Sequence, residues 1–151
     1  MARIGIFGGS FDPVHAGHVG IAKRAVREIP LDRIIVVPAA RSPFKTSDDA
    51  APMFSPQERL ERLRRAFAGM PEAEIDTREL ERGGVSYAID TVREIAAENP
   101  GDSLFFIVGE DAMRDVGKWK DSDALLRLCT FVSFPRTPES STAIRRALRK
   151  G

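Results

Sequence analysis

The feature that most constrains the fold is a regular alternation of short apolar runs with helix-type patterns along the whole chain. Between the apolar runs, hydrophobic residues recur every three to four positions, as in helices that bury one face. Strands that alternate with helices predict an α/β fold, a Rossmann-like doubly wound parallel sheet with helices on both faces. The sheet is predicted to have about five strands: RIGIF (3–7), RIIVVP (33–38), AEIDT (73–77), SLFFIV (103–108) and TFVSF (130–134).

Capping residues and helix breakers mark the predicted helices. The first runs from about Ala16 to Ile29, and the second starts at the capping box SPQE (55–58), with proline at its first position. A third begins near Ala88 and ends at NPGD, and a short fourth lies near 121–128. The segment SSTAIRRALRKG (140–151) predicts a capped basic helix at the end of the chain.

Composition indicates a single domain, 1–151, and narrows its partners. The 23 basic and 22 acidic residues give a formal net charge of +1, far from the basic excess of nucleic-acid-binding proteins. No segment has the apolar region of a signal peptide or the ~18 apolar residues of a membrane span. We therefore expect a cytoplasmic protein that binds neither nucleic acid nor membrane. Cys129, the single cysteine, is expected to be a buried structural thiol, and no sequence feature sets an oligomeric state.

Glycine, hydroxyl and charged residues follow every predicted strand. Ligands of doubly wound sheets bind outside the carboxyl ends of the strands, so these segments are expected to meet at one rim. They are GGSFDPVHAGH, PAARSPFK, GGVSYAIDT, GEDA and PRTPESST.

The segment after the first strand carries both histidines of the chain, His15 and His18. Three residues apart on a first helical turn, their imidazoles would face the same way. Ordinary capping or core histidines are one interpretation, and metal ligation is a weaker one, because only Asp12 is nearby. The glycines and the helix N-terminus favour a third, an imidazole pair directed at a phosphate. We assign no metal ligands.

The segment ESSTAIRR near the end of the chain allows two interpretations. Ser140 or Ser141 could simply cap a helix. Three hydroxyls at a helix N-terminus, with Arg145 one turn along, would also form a phosphate site. On the same rim as the histidines, phosphate binding is favoured. Lys45, in the loop after the second strand, could reach a polyphosphate or remain solvated.

These residues carry a family resemblance. GGSFDPVHAGH resembles the (H/T)-x-G-H signature of the nucleotidyltransferase superfamily, and SSTAIR resembles its C-terminal phosphate motif. SYAIDTVREI, LFFIVGEDA and the tryptophan of GKWKD are similar to bacterial nicotinate mononucleotide adenylyltransferases, so the resemblance covers residues 3–147. It implies transfer of AMP from ATP to nicotinate mononucleotide, giving deamido-NAD and pyrophosphate in NAD biosynthesis. The implied reaction is a direct in-line attack, with Mg²⁺ carried by the ATP phosphates.

The resemblance also implies roles for individual residues. Catalytic roles fall on His15, His18 and Arg145. The implied ATP and phosphate site comprises Gly8, Gly9, Ser10, Phe11, Lys45, Gly109, Asp111, Ser140, Ser141 and Thr142. The implied mononucleotide site comprises Tyr87, Ala88, Thr91, Trp119, Lys120 and Arg136. Trp119 would stack on the pyridine ring, although a half-buried core tryptophan is the alternative.

The chain departs from the family pattern at several places. Phe44 stands where family members often carry histidine, and Ala88 replaces a threonine implied in holding the nicotinate carboxylate. Thr137 follows Arg136 where Pro-Gly is common. Related enzymes are generally longer at the C-terminal end, which suggests a fold shortened there. The alternatives are therefore a pantetheine-phosphate adenylyltransferase, or a nucleotide-binding module without catalysis.

Overall fold

The computed structural model describes residues 1–40 and 53–134, and the backbone of Arg145–Arg146. Its sheet has the strand order β3-β2-β1-β4-β5-β6. The first five strands are parallel, and all five predicted apolar runs are confirmed as strands. Their bounds are β1 Arg3–Gly9, β2 Arg33–Pro38, β3 Ala73–Ile75, β4 Ser103–Gly109 and β5 Thr130–Phe134.

The helices cross between the strands as predicted, with additional short ones. The predictions near 16–29, 55–67, 88–98 and 121–128 are confirmed, and Ser55 caps its helix through the expected capping box with Glu58. Two helices of five and six residues were not predicted, because they are too short to show a periodic apolar stripe. The bounds are α1 Ala16–Glu28, α2 Pro56–Ala66, α3 Arg78–Arg82, α4 Ala88–Glu98, α5 Glu110–Asp115 and α6 Ser122–Leu128. A 3₁₀ turn at Val116–Lys118 follows α5.

The predicted C-terminal helix is wrong where the structure describes it. Arg145–Arg146 forms a sixth strand, β6, antiparallel to Val132–Ser133 of β5. The open edge of β5 carries backbone N–H and C=O groups that a paired strand satisfies. Edge pairing therefore overrides the local helix pattern at these two residues. The rest of the SSTAIRRALRKG segment lies outside the described residues.

Apolar side chains cover both faces of the sheet. Neighbouring strand residues point to opposite faces, and Ile35 and Val37 belong to one buried cluster while Ile34 and Val36 belong to the other. Helices α4 and α6 pack on the first face, and α1 and α2 pack on the second. At Gly5 a Cβ atom would lie 2.7 Å from Leu31 Cδ1 and 3.2 Å from Ile34 Cγ1, so a larger residue there requires these buried side chains to shift.

The single cysteine is confirmed as a buried thiol. Cys129 is 6% exposed, its Sγ lies 3.3 Å from the carbonyl oxygen of Leu125, and burial raises its pKa to about 12. The thiol is therefore protonated and unreactive at neutral pH. Within the described ranges, no helix has the length and hydropathy needed to cross a membrane.

The strand order reverses direction at β1. From β1 the chain first builds β2 and β3 on one side, and then β4 and β5 on the other. The crossover helices leave a crevice between the carboxyl ends of β1 and β4 at such a switch point. Described residues of four of the polar segments named above lie at this crevice: Gly8–Ser10, Ala39, Ser86–Ala88, and Gly109 with Ala112.

Candidate functional site

A cavity of about 580 Å³ occupies the switch point between β1 and β4. Eight of the residues predicted for ligand binding line it. Four come from the ATP set and four from the mononucleotide set: Gly8, Gly9, Ser10, Gly109, Tyr87, Ala88, Trp119 and Lys120. The topology thus brings together segments that are up to 112 positions apart in the sequence, from Gly8 to Lys120.

One end of the cavity is aromatic and cationic. The Trp119 ring meets the rings of Phe106 and Phe131 edge-on, with centroids 5.7 Å away in each case. The Nζ atom of Lys120 lies 4.4 Å from the centroid of the Tyr87 ring, in cation–π contact. Trp119 therefore packs on the core, as one interpretation expects, and it also forms part of the cavity wall, while its stacking on a pyridine ring stays a prediction.

Helix α4 begins at this end of the cavity without a side-chain cap. Its N-cap residue, Tyr87, is extended and makes no capping hydrogen bond. The Asp90 N–H donates to the Tyr87 carbonyl oxygen at 3.2 Å, and the preceding N–H groups of the first turn have no acceptor within the helix and carry the positive end of its dipole. Tyr87 and Ala88 both line the cavity. The helix end is consequently suited to an anionic group, even though Ala88 supplies no hydroxyl.

The two histidines cap the start of α1 reciprocally. Nδ1 of His15 accepts a hydrogen bond from the Gly17 N–H at 3.1 Å, and Nδ1 of His18 accepts one from the His15 N–H at 3.0 Å. The arrangement is a capping box in which imidazoles replace the usual hydroxyl and carboxylate. The ring centroids are 3.9 Å apart. Capping, which had been an alternative to phosphate contact, thus orients both rings.

The capping bonds also determine which ring atom is available. With Nδ1 accepting in both rings, a neutral imidazole carries its proton on Nε2. Burial and the neighbouring His15 lower the pKa of His18 to about 4. His18 is therefore neutral near pH 7 and offers an N–H donor rather than a positive charge. Its ring is held against Phe11, with centroids 5.1 Å apart.

Gly17 leaves room for the His15 ring. A Cβ atom there would lie 2.9 Å from Cε1 and 3.0 Å from Nδ1 of His15. We expect Gly17→Ala to displace the imidazole and lower kcat at least ~10-fold, since small misplacements of catalytic groups are costly. Steady-state kinetics tests this expectation.

Gly20 supplies the matched control on the same helix. No atom lies within 4 Å of a Cβ added there. Gly20→Ala should leave kcat unchanged and stabilise the fold by up to ~1 kcal/mol. Equal kcat values for the two variants would show that the His15 position does not matter for turnover.

A buried arginine not singled out from the sequence supports the cavity floor. Arg59 of α2 is 2% exposed, and its Nη1 donates to the carbonyl oxygens of Ser10 and Ala39, both at 2.8 Å. Burial lowers its pKa, and the charge of Asp12 opposes this effect. The side chain ties the carboxyl end of β1 to that of β2. Arg59 lies one helical turn before Leu63, on the apolar stripe of α2. This position is the sequence signal that could have identified Arg59 as buried.

Two predicted residues lie beside the cavity rather than in its described lining. Phe11 is 3% exposed and packs edge-on against Phe7, with centroids 5.4 Å apart. Thr91 is 1% exposed, and its hydroxyl donates to Glu79 at 2.5 Å. Glu79 also lines the cavity, together with Ser86 and Lys118. The sequence patterns had not identified Glu79 as a site residue. No periodic signal identified α3, which carries Glu79.

The remaining predicted residues have limited or no description. Asp111 follows Gly109 in the first turn of α5, with only its backbone described. Arg145 is likewise described through the backbone of β6. Residues predicted to bind phosphate or mononucleotide that lie outside the described ranges are Lys45, Arg136, Ser140, Ser141 and Thr142.

The described acidic and imidazole side chains form no metal centre. Within residues 1–40 and 53–134, no group of three or more His, Cys, Asp and Glu side chains could hold an ion. Asp12, the carboxylate nearest the histidines in sequence, accepts hydrogen bonds from the N–H groups of Met53 and Phe54 at 2.6 and 2.8 Å. Its role here is to fasten the start of the segment that leads into α2.

Comparison with known proteins supports the family resemblance that the sequence motifs suggest. The family model for cytidylyltransferase-like proteins matches residues 6–147. The chain belongs to the cytidylyltransferase-like family. Within this family, the resemblance to nicotinate mononucleotide adenylyltransferases is confirmed by curated relatives that carry that name.

Two of these relatives are each 40% identical to the chain. A probable nicotinate-nucleotide adenylyltransferase of Thermus thermophilus matches over 168 residues, covering 99% of this chain and 88% of the relative. A second, from Citrifermentans bemidjiense, matches over 146 residues, covering 97% of this chain and 66% of the relative. The chain thus spans just under two thirds of that relative's length.

A solved structure shows the same fold. The nicotinic acid mononucleotide adenylyltransferase of Plasmodium falciparum, in complex with NaAD, superposes with a TM-score of 0.73. The match covers 89% of this chain and 65% of that chain at 19% identity.

Proposed function

We propose that the protein transfers AMP from ATP to nicotinate mononucleotide, releasing pyrophosphate and forming deamido-NAD. The observation that carries the proposal is the two-ended cavity at the switch point. Its β1 end presents glycine backbone, and its other end combines Trp119 with the uncapped N-terminus of α4. The phosphates of an adenylyl donor suit the glycine backbone at the β1 end. The acidic pyridine of the acceptor suits an aromatic ring beside a helix N-terminus. Curated relatives of this chain carry the corresponding name.

The donor side would bind the phosphates of ATP. Small residues at the end of β1 let backbone N–H groups approach an anion. His15 and His18, which follow the same strand, would donate from Nε2 to the α-phosphate or to the leaving pyrophosphate. Mg²⁺ would be held mainly by the phosphates and by water. Arg145 and the hydroxyls of Ser140–Thr142 would complete the phosphate site.

The acceptor side would bind the pyridine mononucleotide. The Trp119 ring would stack on the pyridine, and the first-turn N–H groups of α4 would receive its carboxylate. Lys120, positioned over the Tyr87 ring, adds a positive charge near this end. Backbone donors and a lysine would therefore replace the hydroxyl that Ala88 lacks.

The chemistry needs no covalent intermediate and no general base. The acceptor phosphate is already an anionic nucleophile, so the enzyme has to align two mutually repelling anions and neutralise the developing charge. Positioning supplies about 7–11 kcal/mol of barrier reduction in well-aligned reactions. Preorganised donors such as the two Nε2–H groups supply much of the remainder.

Truncation of Trp119 tests the acceptor side. Stacking of a base on an aromatic side chain contributes about 1–3 kcal/mol, so Trp119→Ala should raise KM for the mononucleotide about 5- to 150-fold. KM for ATP should change less than about threefold. Trp119→Phe keeps an aromatic face and should retain part of the affinity. Because Trp119 also packs on Phe106 and Phe131, melting curves of both variants provide the control for folding.

A substrate panel tests the proposed reaction itself. Purified protein with Mg-ATP should release pyrophosphate with nicotinate mononucleotide and much less with 4′-phosphopantetheine. Nicotinamide mononucleotide in a parallel reaction measures the preference at the pyridine carboxylate. Turnover with 4′-phosphopantetheine alone would identify the sibling reaction. ATP binding by calorimetry with no product from any acceptor would instead indicate a non-catalytic module.

A further inference from the structure

A buried carboxylate behind the acceptor end of the cavity has no role in the chemistry described so far. Glu79 of α3 is 7% exposed and lines the cavity. Its carboxylate accepts a hydrogen bond from the Thr91 hydroxyl, and the nearby Ser86 hydroxyl also lowers its pKa. Burial raises the pKa of Glu79. Burying a carboxylate costs free energy unless hydrogen bonds replace its lost hydration.

The hydroxyls extend this carboxylate into a network of three segments. The Ala40 N–H donates to Ser86 Oγ at 3.0 Å, and the Ser86 hydroxyl in turn lies near enough to Glu79 to lower the pKa of its carboxyl group. Thr91 Oγ1 donates to Glu79 from the first turns of α4, at 2.5 Å. Ser86 is 6% and Thr91 1% exposed. The end of β2, helix α3 and the start of α4 are therefore joined through one side chain.

The network contacts the start of α4 at residues on both sides of its N-terminal end. Ser86 precedes and Thr91 follows the cavity-lining residues Tyr87 and Ala88. No side chain caps this helix, so the orientation of its first N–H groups depends on how the flanking residues are held. Glu79 accepts a hydrogen bond from Thr91 and lies near the Ser86 hydroxyl, so it interacts with both of them. Its neighbour Arg82 forms an ion pair with Glu94 at 2.9 Å and acts on Glu79 only through longer-range electrostatics.

We propose that Glu79 is a positioning residue for the acceptor: through Ser86 and Thr91 it holds the N-terminus of α4 and the Tyr87 ring in the arrangement that binds the acceptor's anionic group. The proposal rests on the proposed function for the identity of that acceptor. The role requires hydrogen-bond acceptance by the side chain and not its negative charge.

Three variants separate positioning from charge and from general stability. Glu79→Ala removes the hydrogen bond from Thr91 and the interaction with Ser86, and it should raise KM for nicotinate mononucleotide at least about tenfold, with KM for ATP changed less than about threefold. Glu79→Gln keeps an acceptor oxygen and should restore KM to within about threefold of the native value. Glu81→Ala alters an exposed glutamate of the same helix and should behave as the native protein.

A second readout does not depend on turnover. Amide hydrogen exchange at Tyr87, Ala88 and Ile89 should become faster in Glu79→Ala and stay near native in Glu79→Gln. Unchanged exchange and unchanged KM in Glu79→Ala would overturn the positioning role, even with the native enzyme active. A Glu79→Gln variant as impaired as Glu79→Ala would overturn it in favour of a charge effect. Equal increases in both KM values would overturn it in favour of a general structural role.

The same experiment distinguishes failure of the proposed function. If the native protein neither binds nor converts nicotinate mononucleotide, the proposed function fails, and the assignment of the acceptor fails with it. If the native protein is active and only the Glu79 variants contradict the expectations, the inference about Glu79 fails alone.

Discussion

His18→Asn is expected to lower kcat about 10²-fold and to leave the fold almost unchanged. Losing one preorganised donor typically costs this much in the rate of a charge-developing step. The side-chain oxygen of asparagine takes the place of Nδ1. It can still accept the hydrogen bond from the His15 N–H that caps α1, which is 3.0 Å long in the native protein. The substitution therefore removes Nε2–H while it preserves the cap. Steady-state turnover and a thermal melt of the same sample measure the two effects.

His18→Gln is the complementary variant. Its amide nitrogen takes the place of Nε2, so it keeps a distal donor and gives up the capping acceptor. We expect it to retain more activity than the asparagine variant and to lose up to about 1–2 kcal/mol of stability through the weakened cap. If His18→Asn turned over at the native rate, the imidazole pair would have a structural role only.

Arg59→Leu is expected to destabilise the protein by about 3 kcal/mol. The substitution leaves the carbonyl oxygens of Ser10 and Ala39 without their buried donor, and each orphaned group costs about 1–3 kcal/mol. Relief from burying a charge offsets part of the loss, because burial of Arg59 lowers its pKa. For a chain of this size, ~3 kcal/mol corresponds to a melting-temperature drop of roughly 6–12 °C. Urea denaturation and thermal melting check the value independently.

Arg59→Lys should fall between the native protein and the leucine variant. An ammonium can reach a carbonyl oxygen, but it lacks the planar fork of the guanidinium. Arg62→Leu is the matched surface control, since Arg62 is exposed on the same helix with its guanidinium 4.1 Å from the Phe54 ring centroid. A loss from Arg59→Leu no larger than that from Arg62→Leu would show that the two carbonyl contacts contribute nothing net.

The predictions that hold are those with a local signal. Strands β1, β2 and β4 contain continuous apolar runs, β3 and β5 are shorter and include one polar residue between apolar ones, and helices α1, α2 and α4 have a clear period of three to four residues. Parallel topology then followed from alternation alone. The five-residue helix α3 and the pairing of β6 lacked such a signal, because a short helix shows no period and an edge strand is defined by its partner.

The same distinction applies to the candidate site. Ser10, Tyr87 and Trp119 could be named because each follows a strand or matches a motif, and all three line the cavity. Arg59 and Glu79 could not, because their chemical types predict exposure. Only the fold shows that hydrogen bonds with two carbonyls and a hydroxyl replace part of the solvation that these side chains lose, while Nε of Arg59 is buried without a described hydrogen-bond partner.

The amino-acid sequence alone determined the alternation of the five parallel strands with the longer helices, and the rim of the sheet at which a ligand site was expected. These properties depend on backbone periodicity and on the handedness of crossovers, which are local or general. The tertiary structure decided which rim residues share one cavity, that the two histidines cap each other and keep Nε2–H available, and that α4 starts uncapped beside Trp119. Those features depend on distances between segments far apart in the chain, and burial sets their protonation and hydrogen bonding.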